Sequence, residues 1–445
     1  MPSTSAHFPW TLHRTRLDNG LRVVVCPDAT VPLAAVNLWY DVGSRHEVEG
    51  KHGFAHLFEH LMFEGSAHVE KGGHFAAIEG CGGDGINAST SPDRTNYYQT
   101  VPSGQLELAL WLEADRMGSL GLTQETLDNQ REVVKNERRQ RYDNVPYGTW
   151  SEEMMVLAYP EGHPYATSTI GSMAELDGAE LADFTAFHET WYAPDNAVLT
   201  VVGDVRPEQV VALAEKYFGG IAPRGSFTQP TPAPLPPRFG AGRHLTVHRD
   251  VPAPRLFLCH RAPRFGTPDA AAASVLATAV GRGRGSRLYR ELVTARNLAQ
   301  ASGAFLSAWN HLHFESVLMG SCAPSEGVEA REVLDAYVAV CDEVAREGVT
   351  EAELDRVRAV LSGEWLREVA TAAGRADAIG RFTTRFGDAE SIRDHLDELL
   401  AVTVEDVHRV ARDLLHQDNR IVLEFRPQAA EADAEIDTTE PEAAA

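Results

Sequence analysis

An internal repeat around a central proline-rich segment is the feature that most constrains the fold. Residues 222–242 contain six prolines among Gly, Ser and Thr, which excludes a helix or a central strand and predicts a linker. On either side, residues 183–199 and 406–422 share the pattern of an amphipathic helix, a turn with Asp-Asn and a β-branched strand. A second sequence similarity relates residues 127–137 to residues 354–364. The repeat predicts a duplicated domain, with chance similarity as the alternative because helix–turn–strand units are common.

The order of elements within each half indicates an α+β fold. Strands come first, a helical stretch follows, and a strand closes the half. Strands that are segregated from helices favour antiparallel sheets packed with helices over a doubly wound sheet. We therefore predict two homologous α+β domains at residues 1–221 and 243–427, joined by the linker 222–242. Residues 428–445 are acidic, with no large apolar side chain after Ile436, and are predicted to form a disordered tail.

Composition and charge exclude several classes of function. A chain of 445 residues is too long for one ordinary core, and 43% apolar with 23% charged residues is typical of a soluble globular protein. The formal net charge of −24 argues against nucleic acid or an anionic membrane as a partner. No apolar run approaches the roughly 18 residues of a membrane span. The N-terminus lacks the apolar core of a signal peptide, so we expect a cytoplasmic protein with reduced cysteines.

A histidine pair carries the main chemical signal. His56 and His60 are four residues apart, so on a helix both imidazoles project from one face and can share one metal ion. Glu59 lies beside this pair, and the apolar residues around it supply a wall that excludes water. Imidazole nitrogens favour zinc over calcium or magnesium, which prefer oxygen ligands.

The pair predicts a hydrolytic zinc site. Catalytic zinc usually has three protein ligands and one position for water, and a neighbouring carboxylate accepts a proton from that water. Glu59 fits the role of this general base because its helix position is fixed relative to the metal. The residues alone leave the third ligand open among Glu125, Glu132 and Glu137. The alternative is a chance motif on an ordinary polar helix face.

Further motifs surround the histidine pair. They lie at residues 39–44, 87–90, 95–98, 133–137, 192–197 and 201–204. Together with the inverted His-x-x-Glu-His string, they make the chain resemble the pitrilysin/insulinase family of zinc metallopeptidases, and most of all its mitochondrial processing peptidase branch. The resemblance covers essentially the whole chain between its two tails.

The resemblance implies a complete zinc site and a domain arrangement. Glu137 occupies the place of the family's third ligand, so one Zn²⁺ per chain would be held by His56, His60 and Glu137. The family fold has two domains that face each other across a peptide-binding cavity. An extended substrate peptide adds to an exposed edge strand in the family, which implies that Asn87 and Ala88 hold the substrate backbone.

Two departures from the family pattern concern the chemistry. Val293 and Gln300 stand where active single-chain members carry an Arg and a Tyr that help bind the peptide carbonyl and the oxyanion. We therefore expect a heterodimer with a homologous subunit that carries the Arg/Tyr pair and lacks the zinc motif. Gln130 replaces a Glu that is frequent in the family, a change that concerns the tuning of the zinc site and not its ligand set.

The leading hypothesis is therefore a zinc metalloendopeptidase subunit. It would hydrolyse extended or unfolded peptides, or leader segments, with Glu59 as general base, and would need its partner for activity. The alternative is a non-catalytic peptide-binding or assembly subunit that keeps the family fold. Zinc content separates the two, because an abandoned site would bind the metal weakly or not at all.

Overall fold

Two sheets dominate the fold. The structure is a computed structural model and describes residues 7–240, 242–307, 311 and 313–428, so the acidic tail lies outside it after residue 428. The strands of the first sheet are β1 His13–Arg16, β2 Arg22–Pro27, β3 Leu33–Tyr40, β4 Asp84–Thr90, β5 Thr95–Pro102 and β6 Ala197–Gly203. The strands of the second sheet are β7 Arg243–Arg249, β8 Arg255–Ala262, β9 Ala299–Leu306, β10 Ser316–Pro324 and β11 Ile421–Pro427.

The two sheets share one strand order. It is β1-β2-β6-β3-β5-β4 in the first and β7-β11-β8-β10-β9 in the second, so the sheets correspond strand by strand once β1 is set aside. In each sheet the strand that closes the half lies between two earlier strands and runs parallel to one of them. The other pairs are antiparallel. The predicted α+β class is confirmed, with one parallel pair in each sheet as an unpredicted detail.

Helices fill the remainder of both halves. Those of the first half are α1 Phe54–Leu61, α2 Gly73–Gly80, α3 Leu106–Gly118, α4 Gln124–Arg138, α5 Trp150–Ala158, α6 Met173–Asp177, α7 Leu181–Trp191 and α8 Pro207–Phe218. Those of the second half are α9 Pro268–Gly281, α10 Ala330–Glu347, α11 Glu351–Ala370, α12 Ala372–Phe386, α13 His395–Ala401 and α14 Val404–Leu414. There are also two π-helical segments. Arg139–Asp143 directly follows α4, and Tyr289–Ala295 lies shortly before β9. Among the described helices, none has the length and apolar character needed to cross a membrane.

Strand β2 shows that both faces of the first sheet are buried. Successive side chains of a strand point to opposite faces, and an uninterrupted apolar run therefore needs cover on both. Val23 and Val25 belong to the core formed with helices of the first half. Val24 and Cys26 belong to a separate cluster on the other face. The sheet is thus the middle layer of a sandwich of helices.

A helix from the opposite half covers the second face of each sheet. Helix α12 lies on β3 and β6, where Ile379 and Trp39 share one buried cluster. Helix α5 lies on β8 and β11, where the ring of Trp150 stacks on Phe257 with centroids 4.6 Å apart. The two helices hold corresponding places in the chain, since α5 follows α4 and α12 follows α11. Neither half can bury both faces of its sheet without this exchange.

The contact between α12 and the first sheet is close. A Cβ atom on Gly380 would lie 2.6 Å from Cδ1 of Trp39, so glycine stands in mid-helix despite its low helix propensity. Polar groups flank this contact. Asn37 and Asn96 each donate an amide hydrogen to Oδ1 of Asp377, at 3.4 and 3.1 Å. Packing and hydrogen bonds therefore both fix α12 on the first sheet.

The proline-rich segment forms neither helix nor strand in its described residues, 222–240. The backbone amides of Arg224 and Gly225 donate to the carboxylate of Asp195 at 3.1 and 2.8 Å. Further along, Arg261 Nη1 donates to the carbonyl of Pro236 at 2.8 Å. Hydrogen bonds thus connect the proline-rich segment to both halves. The domain limits 1–221 and 243–427 stay a prediction, since helices cross between the halves.

The helix exchange can be tested with Ile379→Ala. Ile379 is fully buried, and we expect the variant to lower the free energy of unfolding by about 2–5 kcal/mol through loss of apolar contacts and a residual cavity. Because Ile379 belongs to the second half and packs on the first sheet, both halves should lose stability together in calorimetry. Leu366→Ala, at a site that is 52% exposed, is the control and should change little. Two transitions, of which only one shifts, would contradict the coupling.

A second test uses the ion pair between Arg287 and Glu353. Arg287 donates from Nε and Nη2 to the two carboxylate oxygens at 2.7 and 2.8 Å, and this lowers the pKa of Glu353 from 4.5 to about 2. A depressed folded-state pKa adds stability that is present above pH 4.5 and is lost as the pH falls towards 2. We expect Glu353→Gln to destabilise the protein at pH 7 by on the order of 1 kcal/mol, because water partly screens the pair. In urea titrations the difference from the parent should vanish between pH 4.5 and 2, whereas the exposed Glu351→Gln should show no such difference.

Candidate metal centre

Helix α1 presents the two predicted histidines on one face. His56 and His60 lie one turn apart, and their ring centroids are 4.9 Å apart. Leu57 and Leu61 are fully buried on the adjoining face of the helix. This division follows from the 3.6-residue period, which places polar and apolar positions on separate faces.

A buried carboxylate fixes the start of α1. Glu47 accepts hydrogen bonds from the backbone amides of Gly53 and Ala55 at 3.0 and 2.7 Å. Gly53 has a φ of 95°, and a Cβ atom there would lie 2.8 Å from the Cα atom of Gly171. Glycine is therefore required where the chain turns into the helix. Burial raises the pKa of Glu47 to about 8.

Helix α4 brings the third predicted ligand to the histidines. The buried residues Leu127 and Val134 attach α4 to the core that contains α1, and Glu137 follows them on the adjoining face. Oε2 of Glu137 lies 3.7 Å from Nε2 of His56 and 3.4 Å from Nε2 of His60. Within the described residues, this is the group of possible ligands in which three donor atoms lie within 4.8 Å of one another.

The three side chains fit a zinc ion. Around a tetrahedral ion with bonds of roughly 2.0–2.1 Å, donor atoms lie about 3.3 Å apart, close to the spacing of these atoms. Burial and the neighbouring His60 lower the pKa of His56 to about 4, so this imidazole is neutral at pH 7. A hydrogen bond from His60 lowers the pKa of Glu137, which keeps it a carboxylate. Neutral imidazole and ionised carboxylate are the forms that bind zinc.

Glu59 lies beside the three ligands and outside their group. Burial raises the pKa of its carboxyl, and a hydrogen bond from the hydroxyl of Thr90 opposes that shift. The hydroxyl donates to Oε2, which leaves Oε1 available to another donor. Behind Thr90, Oγ1 of Thr95 lies 3.4 Å away and donates to the carbonyl of Val42 at 2.9 Å. The hydroxyl of Thr90 therefore holds the Glu59 carboxylate, with that of Thr95 behind it.

Asn87 and Ala88, the predicted substrate-binding residues, lie on β4 at the edge of the first sheet. β4 pairs with β5 on one side, where Asn87 is opposite Tyr98 and Ala88 opposite Tyr97. Its other side faces no strand among the described residues. Asn87 is exposed, whereas Ala88 is buried and shares the face of the strand that carries Thr90.

A cavity of about 340 Å³ opens beside Thr90 and lies between the two halves. Its apolar walls come from both of them and include Tyr142, Trp150, Met155, Tyr165, Phe305 and Met319. The candidate site therefore combines a group of possible metal ligands, a neighbouring carboxylate, a free strand edge and a cavity between the halves.

Two residues of the centre were not predicted from the sequence. Thr90 contacts Glu59, and its place two residues after Ala88 on the same strand face was the available signal. Arg141 forms an ion pair with Glu137, with Nη1 2.7 Å from Oε1. Its spacing of four from Glu137 was a second available signal, because residues four apart on a helix are neighbours.

The second half has an ion pair at two positions that sequence offsets relate to His60 and Glu137. β3 and β8 correspond with an offset of 222 positions, which relates His60 to Arg282, and the repeat relates Glu137 to Glu364. Arg282 Nε lies 2.7 Å from Oε1 of Glu364. A guanidinium and a carboxylate are thus in contact at these two positions.

The structure also gives the places of the three residues that depart from the family pattern. Val293 is half-buried in the π-helical segment before β9, and Gln300 is exposed on β9, the edge strand of the second sheet. Gln130 Nε2 donates to Oε1 of Glu64 at 2.7 Å. A Glu at position 130 would set two carboxylates against each other, so the amide suits this chain.

The chain matches two protein-family models. Residues 22–171 match the model described as insulinase (peptidase family M16), and residues 179–361 match the one described as the peptidase M16 inactive domain. Over 416 residues the chain is 31% identical to the zinc protease PqqE of Helicobacter pylori, a match that covers 92% of each chain. It is 25% identical over 408 residues to the probable mitochondrial-processing peptidase subunit beta of Schizosaccharomyces pombe, covering 90% of this chain and 88% of that one.

Solved structures show the same fold. The crystal structure of a protease from Helicobacter pylori superposes with a TM-score of 0.87 at 30% identity, covering 94% of this chain and 100% of that one. The crystal structure of the peptidase M16 inactive domain from Pseudomonas fluorescens superposes with a TM-score of 0.83. That match covers 95% and 99% of the two chains at 22% identity and is a likeness of fold alone.

The hydroxyl that holds Glu59 can be tested with Thr90→Val. The variant keeps a β-branched side chain for the strand and removes the hydrogen bond to the charged carboxylate. We expect the pKa of Glu59 to rise further above its ordinary value, measured by ¹³C NMR of Glu-labelled, metal-free protein. Thr90→Ser keeps the hydroxyl and should titrate like the parent. An equal pKa in Thr90→Val would show that the contact does not act on Glu59.

Proposed function

The chain belongs to the insulinase (peptidase M16) family, and from this premise we propose that it is the zinc-binding subunit of a metalloendopeptidase. The observation that carries the proposal is the approach of Glu137 to His56 and His60, with three donor atoms within 4.8 Å of one another. Relatives named as zinc proteases and as a processing peptidase support protease function in general. The ligand set and the mechanism are our assignment.

The proposed mechanism assigns one task to each group at the centre. His56, His60 and Glu137 hold one zinc ion per chain. When bound, the ion supplies Lewis-acid activation of a water molecule and of the scissile carbonyl. Glu59 accepts the proton that the water gives up, on the oxygen that Thr90 leaves free. Burial raises the pKa of Glu59 and so makes its carboxylate a stronger base than an exposed one.

The proposed substrate is an extended or unfolded peptide, including a leader segment. A free strand edge accepts such a peptide through main-chain hydrogen bonds, and we assign this role to Asn87 and Ala88 on β4. Thr90 on the same strand contacts Glu59, so a peptide aligned on β4 would pass the base. The cavity between the halves, with a volume of about 340 Å³, would accommodate a few side chains of such a peptide.

The proposed setting is a heterodimer in the cytoplasm. Val293 and Gln300 cannot supply the cation and the phenol that bind the peptide carbonyl and the oxyanion in single-chain family members. A homologous partner that lacks the zinc motif would supply this Arg/Tyr pair. The exposed position of Gln300 on the edge of the second sheet leaves that place accessible to a partner group.

A non-catalytic peptide-binding or assembly subunit is the second candidate function. The replacement of the Arg/Tyr pair by Val293 and Gln300 is the observation that favours it. Under this alternative the cavity and the free edge of β4 would bind peptides without hydrolysis. Zinc content again separates the candidates, because only the enzyme requires a nearly stoichiometric metal.

The enzymatic proposal is tested with Glu59→Gln. Removal of the base should lower kcat by about 10²–10⁴-fold while zinc content stays at the parent level. Quenched-fluorescence peptide libraries and metal analysis measure the two quantities, on the chain together with its partner.

Glu132→Gln serves as the matched control. This residue is 59% exposed on α4 and forms no part of the ligand group, so activity should be unchanged. Equal activity of Glu59→Gln and its parent would exclude Glu59 as the base. The absence of any cleavage by the zinc-loaded complex would favour the second candidate.

A further inference from the structure

We propose that Arg141 is a positioning residue for Glu137, holding Oε1 of its carboxylate so that Oε2 is directed at the two imidazoles. This inference rests on the zinc site assigned above and goes beyond its three ligands. It concerns the affinity of the site for the metal, a property that can be measured without substrate.

The contacts of Glu137 divide its two carboxylate oxygens between different partners. Oε1 lies 2.7 Å from Nη1 of Arg141. Oε2 lies 3.4 and 3.7 Å from the Nε2 atoms of His60 and His56. A carboxylate can rotate about its last bond and exchange its oxygens, so a cation on one oxygen selects which of them faces the metal position. Polar contacts from neighbouring side chains orient the ligands of metal sites.

The neighbouring arginines do not reach Glu137. Arg138 contacts the carboxylate of Glu152 at 2.9 Å and the carbonyl of Gly171 at 2.5 Å. Arg139 donates to Oδ1 of Asn136 at 2.6 Å. Among the three arginines of this segment, the described contacts therefore assign the ligand carboxylate to Arg141.

The exposure of Arg141 argues against a role in folding. Its side chain is 73% exposed, and surface ion pairs of this kind contribute little to stability. Glu137 is only 18% exposed, so the contact orders the buried partner. The chain changes from α4 to the π-helical segment at Arg139, and π-helical turns are frequent at functional sites. Arg141 lies inside that segment, one turn beyond the ligand.

A cation beside the ligand also repels a metal ion, and the two effects have opposite signs. Repulsion alone would make removal of Arg141 strengthen zinc binding. Water around the exposed guanidinium screens this repulsion, whereas the short contact to Glu137 is direct. We therefore expect orientation to dominate. Loss of a hydrogen bond to a metal ligand typically weakens metal binding by about 10–100-fold.

The experiment measures zinc affinity in the full-length chain. The metal is removed with a chelator, and zinc is titrated back in competition with a chromophoric chelator. We expect Arg141→Met to bind zinc about 10–100-fold more weakly than the parent, and Arg141→Lys, which keeps a donor cation, to recover part of that loss. Arg139→Met is the matched control, because Arg139 contacts Asn136 and not Glu137. Thermal unfolding of the metal-free variants should match the parent.

Three outcomes in the variants would overturn the proposal. An unchanged zinc affinity in Arg141→Met would mean that Arg141 does not position the ligand, whatever the effect of the variant on peptide cleavage. Increased affinity would mean that repulsion dominates. An equal loss in Arg139→Met would make the effect one of general surface charge. If the parent binds zinc and cleaves no peptide, the proposed function fails while the affinities still decide the role of Arg141. A parent that binds no zinc would end both proposals.

Discussion

The exchange of α5 and α12 between the halves is the packing interaction on which the rest of the structure depends. Each sheet has two apolar faces, and one face of each is buried against a helix of the other half together with neighbouring segments. Helix α5 follows α4 and the π-helical segment in the chain. Its docking on the second sheet therefore also limits where the segment that carries Glu137 can lie. The same docking encloses the cavity beside Thr90, whose walls come from both halves. One set of contacts thus holds the fold together and shapes the site.

The two halves share a fold but differ in the charged side chains at related positions. In the first half, burial keeps His56 neutral and Glu137 is ionised, a state that is suited to a divalent cation. In the second half, Arg282 pairs with Glu364, at positions that the sequence offsets relate to His60 and Glu137. A permanent cation there satisfies the carboxylate that a metal would otherwise need. The strand order is the same in both halves, so the chemistry depends on a few side chains and not on the fold.

The sequence predicted the family, the α+β class and a histidine pair on one helix face, and comparison with known proteins confirms the family. Glu137 came from the resemblance, because no local pattern separates it from Glu125 or Glu132. The structure supplies the physical reason for its place, since the buried Leu127 and Val134 direct that face of α4 towards α1. The helix exchange could not be predicted, because apolar periodicity shows that a face is buried and not which element covers it. The parallel strand pairs were missed for a similar reason: the pairing partner of a closing strand is set by long-range packing.

The central claim is that two imidazoles of α1 and one carboxylate of α4 bind a single zinc ion. Anomalous diffraction at the zinc absorption edge, on crystals of protein purified without added metal, tests it most directly. The account requires one anomalous peak per chain, within about 2.0–2.2 Å of a nitrogen of His56, a nitrogen of His60 and an oxygen of Glu137. No peak between these side chains, or a peak held by other residues, would contradict it.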